Sequence, residues 1–172
     1  MAELSAKVIS VSSLSKTYGL PGIRMGWIAC RDPRLMNLFL AAKEQIMICN
    51  SVVDEEIAFR FLQQEKPRLA VIQKKIQHHF SIVKQWMNTE QNLEWVEPSG
   101  GVVCFPRIKA ERNVDVEHFY KILNEKYRTF VGPGHWFEMD RRYMRIGYGW
   151  PPTNELLQGL ENISSALREA RL

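Results

Sequence analysis

Cysteine is scarce in this chain of 172 residues, and Cys30, Cys49 and Cys104 stand isolated and odd in number. No C-x-x-C pair occurs, which argues against a disulfide framework and for a reducing compartment. Long apolar runs are missing too. No stretch is long enough to span a bilayer, and the N-terminus lacks the charged-then-apolar pattern of a leader, so a cytoplasmic protein without a membrane partner is expected. Charge of one sign is never massed. The net charge is +4, with no like-charge block and no basic stripe with interleaved aromatics, so nucleic-acid binding has no support. His78 and His79 are neighbours rather than four apart on one helix face, and no metal site is expected. What remains, 45% hydrophobic and 24% charged, is the balance of a globular chain long enough to bury a real core.

What the sequence does hold is concentrated near its beginning. Residues 7–12 are apolar and β-branched and read as a short buried strand. Ser13, Ser15 and Lys16 follow it, then a turn rich in Gly and Pro, and then Arg24, Gly26 and Trp27 in a second strand expected over 22–30. Alternation puts Arg24, Gly26, Ile28 and Cys30 on one face of that strand. An arginine in an apolar strand needs an anion, because burying it unpaired is costly. The alternative is an edge-strand arginine facing water; beside two serine hydroxyls and a lysine, the anion reading is preferred. Ser13-x-x-Lys16 also matches the opening of the penicillin-binding and β-lactamase signature, but the S-D-N and K-T-G tripeptides of that signature are absent.

The pattern Ser-x-Ser-Lys followed by Gly-x-Arg-x-Gly-Trp resembles the cofactor-lysine motif of the fold-type I, class I/II aminotransferases, which use pyridoxal 5′-phosphate (PLP). The resemblance implies that Lys16 forms the Schiff base with PLP and moves a proton during catalysis. It implies that Ser13 and Arg24, with Ser15 as a further candidate, hold the phosphate. Lysine suits the first role because its amine becomes nucleophilic when its pKa is depressed.

Further along, helices are expected after Asp32-Pro33, over 50–64 and from Pro67 to about 88, with apolar residues at steps of three and four. In the first of these, Leu35, Leu38, Phe39, Ala42 and Ile46 are the expected core face. Pro67 suits a first helical turn. The long helix is similar to the one that joins the two domains of the resembled family. Strands are expected at 93–96 and 102–107 around the turn at Glu97–Gly101, and helices over 114–127 and 153–170, the last capped by Thr153 or Asn154. Val131, Pro133, Gly134 and Phe137 resemble the family's Val-x-Pro-Gly-x-x-Phe segment, with Gly132 where another residue is common. Between them and the last helix, Tyr143–Gly149 alternates, with Met144, Ile146 and Tyr148 inward and Tyr143, Arg145 and Gly147 outward. An outward arginine beside a glycine can offer its planar fork to a carboxylate or form a salt bridge. By resemblance, Arg145 binds the substrate's α-carboxylate.

The implied fold is α/β: residues 1–65 as the C-terminal part of a large PLP-binding domain, then 66–172 as an α+β small domain led by the bridging helix at about 66–88. The implied partners are an amino acid and a 2-keto acid, with a homodimer in the full-length protein. The family's ring-binding and phosphate-cupping segments precede the lysine motif, so this chain is expected to be a C-terminal fragment, inactive alone. A PLP-dependent lyase or synthase, and the PLP-sensing domain of a regulator, are the other activities the same motifs serve.

Overall fold

In the computed structural model, residues 5–16 and 18–172 are described. They divide into two units, Met1–Val71 and Ile72–Leu172.

The first unit is built on an antiparallel hairpin. Strand β1 (Ile9–Ser13) pairs with β2 (Gly26–Cys30), Ile9 opposite Cys30 and Ser13 opposite Gly26. The first strand therefore starts and ends later than the expected 7–12. The second is shorter than the expected 22–30. Pro21 opens a one-turn 3-10 helix (Pro21–Ile23), and Arg24 follows it at φ +46°, in the left-handed region. Neither conformation fits a pleated ladder, so the strand begins at Gly26 and Arg24 lies outside it. The connection is tied across by Leu14 N–H donating to Met25 O (3.0 Å) and Leu20 N–H donating to Leu14 O (2.9 Å). Leu14, only 1% exposed, anchors it.

Helix α1 (Pro33–Ile46) starts where Asp32 caps it, its Oδ1 accepting from Arg34 N–H at 2.9 Å. Helix α2 (Val52–Gln63) is capped by Ser51, whose hydroxyl accepts from Asp54 N–H, while Asp54 and Glu55 complement the helix dipole in the first turn. Phe61 is the buried ring of α2; Tyr18 meets it edge-on at 6.2 Å and the Arg68 guanidinium lies 5.1 Å from its centre. The expected core face of α1 is not met: Leu35 and Phe39 are half-buried, and Leu38, Ala42 and Ile46 are exposed. Helical spacing makes an apolar stripe but does not supply a partner for it.

Helix α3 (Glu65–Thr89) matches its expected bounds closely. Its C-terminal half lays Val83 and Met87 into the core of the second unit, where α4 (Val116–Glu125) and α5 (Thr153–Glu169) pack through Phe119, Leu123, Leu160, Ile163 and Leu167. Short strands complete that unit. Strand β3 (Leu93–Glu94) pairs with β5 (Arg107–Ile108), and β4 (Val103–Cys104), β7 (Met144–Gly147) and β6 (Gly132–Pro133) form an antiparallel sheet in the order β4-β7-β6. Met144, Ile146 and Tyr148 are buried, as alternation requires.

One expectation about the last helix is corrected here. Neither Thr153 nor Asn154 caps α5; the cap position is Pro152, without a side-chain bond. The Thr153 hydroxyl instead lies 3.1 Å from His79 Nε2, whose Nδ1 lies 2.7 Å from Tyr148 O. A ring donating from Nδ1 to that carbonyl accepts the Thr153 hydroxyl at Nε2. His79, 1% exposed, is thus a satisfied core residue linking α3 to the end of β7 and the start of α5. No helix is long and apolar enough to cross a membrane among the described residues.

Candidate functional site

Ser13, Ser15, Lys16 and Arg24 all belong to the hairpin and its connection. Ser13 is the last residue of β1, opposite Gly26. A Cβ at Gly26 would stand 2.8 Å from Ser12 O and 3.2 Å from Ser13 Cβ, so the two strands approach this closely only because residue 26 has no side chain. Ser15 N–H donates to Ser13 Oγ at 3.4 Å, which turns the chain and leaves the Ser13 hydroxyl hydrogen free to donate outward. Lys16 sits at the following bend, exposed, and Gly19 N–H closes the turn on its carbonyl at 3.0 Å. Among the described residues its amine meets no partner. Arg24 is exposed as well, one guanidinium N–H donating to Pro21 O at 2.9 Å and fixing the base of the turn. The expectation that Arg24 shares a strand face with Gly26 is therefore replaced by a left-handed turn residue on the same connection. Its remaining N–H groups are available to an anion.

Arg145 is in the second unit, on β7, with Gly132 as its cross-strand partner. It is exposed, as the outward face of the alternation requires. Its guanidinium carbon lies over the Phe137 ring, 4.6 Å from the centre. Phe137 meets Phe105 edge-on at 5.6 Å, and Phe105 stacks on Tyr143 at 5.3 Å with the planes 18° apart. At the far end of this row Arg107 lies over Tyr143 and pairs with Glu94, whose hydrogen bond raises the Arg107 pKa. Tyr120 fixes the chain just before β7, its hydroxyl donating to Tyr143 O at 2.9 Å and lying 3.1 Å from Arg141 O; burial pushes that phenol up to about 12, so it stays a donor. An open cleft of about 700 Å³ runs along Arg145, with Phe130, Trp136, Trp150 and Glu155 among its walls. Phe130 and Trp136 face each other at 5.6 Å.

Sequence reasoning named Arg145 and the Pro-Gly-x-x-Phe segment but gave Phe137 no role, and it missed the row of rings. The aromatics come from positions 105, 137 and 143, and pattern along the chain carries no signal that they converge. Among the described residues no group of three metal-ligating side chains comes together.

A family model described as aminotransferase class I and II matches residues 1–163. The chain is 31% identical over 163 residues to a capreomycidine synthase of Streptomyces vinaceus, an alignment that covers 94% of this chain and 40% of that protein. It is 25% identical to an aspartate aminotransferase of Pyrococcus abyssi, over 96% of this chain and 42% of the relative. Among solved structures, a PLP-dependent aminotransferase from Streptococcus suis superposes with a TM-score of 0.87 at 31% identity, covering 99% of this chain and 44% of that one. The chain spans about two fifths of the length of the curated relatives it matches.

Proposed function

The chain belongs to the aminotransferase class I and II family, and from that premise we propose that it carries the cofactor-lysine and carboxylate-arginine portion of a PLP-dependent aminotransferase. The reaction is transfer of an amino group from an amino acid to a 2-keto acid. Residues 1–65 are read as the C-terminal part of the cofactor-binding domain and 66–172 as the small domain.

The observation that carries this reading is the hairpin connection. It carries on one short connection an exposed Lys16 amine that meets no partner among the described residues, the Ser13 and Ser15 hydroxyls, and the exposed Arg24 guanidinium. This donor set fits a phosphorylated aldehyde: one nucleophilic amine, two hydroxyls and a cation for the phosphate. When bound, PLP supplies the aldehyde carbon that accepts an amine and the ring that takes up electron density.

The remaining chemistry belongs to the chain's own residues. Lys16 Nζ is the amine that would hold the cofactor and, when free, would act as the base for the Cα proton of the amino acid. Ser13 and Ser15, through their hydroxyls, and Arg24, through its guanidinium, would hold the phosphate. Arg145 grips the α-carboxylate with its planar fork and so fixes the orientation of the Cα–H bond.

The test is PLP addition, borohydride reduction and peptide mass mapping. A single pyridoxyl adduct at Lys16, absent from Lys16→Ala, is the expected result. Adducts scattered over surface lysines and unchanged in Lys16→Ala would overturn it. A second reading, a PLP-dependent synthase using the same lysine and arginine, is favoured by the 31% identity to a capreomycidine synthase. Amino-group transfer from a labelled amino acid to 2-oxoglutarate separates the two.

A further inference from the structure

We propose that Phe137 is a positioning residue for Arg145: its ring is a shelf that holds the guanidinium in the orientation a carboxylate needs. The proposal rests on the reading of Arg145 as the carboxylate-binding residue. An exposed arginine on a strand has several free torsions and samples many rotamers, so an ordered fork needs a restraint. Among the described residues the Arg145 N–H groups meet no acceptor. The restraint is the Phe137 ring, 4.6 Å from the guanidinium carbon, well within the distance at which a cation is attracted to an aromatic face. Stacking uses the flat face of the guanidinium and leaves its edge N–H groups free for two parallel bonds to a carboxylate.

The ring is itself held in place. Phe105 buttresses it edge-on, and Tyr143 stacks behind Phe105. Beneath it lies Gly132, where a Cβ would stand 3.2 Å from Phe137 Cε2 and 3.4 Å from both Phe137 Cζ and Arg145 Cβ. The ring and the base of the arginine therefore share the space that a side chain at 132 would take. The backbone that delivers the ring is a one-turn 3-10 helix (Gly134–Phe137) ending at Glu138, φ +58°. Gly134 pins that turn to the sheet: its N–H donates to Tyr143 O at 2.7 Å, and a Cβ there would fall 2.1 Å from Asp140 O. Pro-Gly-x-x-Phe is thus a device that folds a ring back onto the arginine's strand.

The test uses ¹⁵N-labelled chain, with the Arg145 Nε–H resonance assigned through Arg145→Lys and 2-oxoglutarate as the carboxylate probe. In the parent chain that resonance is expected to be shifted by the ring current of Phe137 and to respond to 2-oxoglutarate. Phe137→Leu should lose the ring-current shift and bind roughly threefold more weakly, with backbone amides elsewhere unchanged, and Phe137→Tyr should restore both. Gly132→Ala, whose Cβ would press on the ring edge without altering the ring, should weaken binding in the same direction and serves as the test if Phe137→Leu fails to fold. Parent affinity in Phe137→Leu, or in Gly132→Ala with its ring-current shift lost, would overturn the proposal. No response of Arg145 to the probe in the parent chain would instead remove the carboxylate reading and the positioning role with it, while the ring-current shift would still report the stack.

Discussion

The two units handle the same kind of helix differently. In Ile72–Leu172 the apolar faces of α4 and α5 meet each other and the sheet, and Phe119, Leu123 and Leu167 are fully buried. In Met1–Val71 the buried apolar residues, among those described, are Leu14, Ala58 and Phe61, while Leu38 is 64% and Ile46 85% exposed on a helix whose apolar residues also recur at steps of three and four. A buried leucine or isoleucine contributes about 1.5–3 kcal/mol, and α1 forgoes that contribution at each exposed position. The pattern that makes a helix and the contact that stabilises it are separate facts. The unit bearing Lys16 has the first with little of the second; the unit bearing Arg145 has both.

Thiol labelling should show the contrast most strongly. Cys49 is exposed, whereas burial pushes the Cys104 thiol up to about 12 from its ordinary 9.0. Under native conditions near neutral pH, buried Cys104 should react with a thiol reagent far more slowly than exposed Cys49, since the thiolate is the nucleophile and must be reached. Similar rates would mean that the core around Cys104 opens readily in solution. The sign for stability is also set. The folded chain keeps Cys104 protonated, so its contribution is complete below pH 9.0 and is lost as pH rises toward about 12.

A matched pair of truncations gives the next largest difference. Leu123→Ala, at a fully buried position, should cost about 3–4 kcal/mol by denaturant unfolding. Leu38→Ala should change stability by less than about 0.5 kcal/mol. A large loss from Leu38→Ala would break the comparison and show that the face of α1 is covered in solution.

The smallest effect is electrostatic. Lys126 and Tyr127 both donate to Glu169 Oε1, each at 2.6 Å, and these bonds hold the Glu169 carboxyl below its ordinary 4.5. A depressed acid stabilises the fold above its unfolded pKa and loses that contribution as pH falls through the folded value. Glu169→Gln should therefore flatten the acid limb of the stability profile slightly below pH 4.5 while leaving Leu123→Ala as costly as before. Salt should reduce the difference further, because all three groups are near solvent.

Read alone, the sequence determined whatever depends on local backbone geometry and side-chain chemistry. The 3.6-residue period placed α3, and the alternation of Met144, Ile146 and Tyr148 against Arg145 placed β7 and its two faces. The spacing of the lysine motif, which reads as a pattern of residue types, was enough to point to the family. Tertiary structure alone decided what depends on partners distant in the chain. It took the Thr153 hydroxyl from the helix cap and gave it to His79, 74 positions away. It gathered Phe105, Phe137 and Tyr143 into a row whose Phe137 end lies beneath Arg145. Periodicity repeats within a few residues and can be read along the chain; burial and ring contacts are set by which surfaces meet, and one chain's spacing does not encode that meeting.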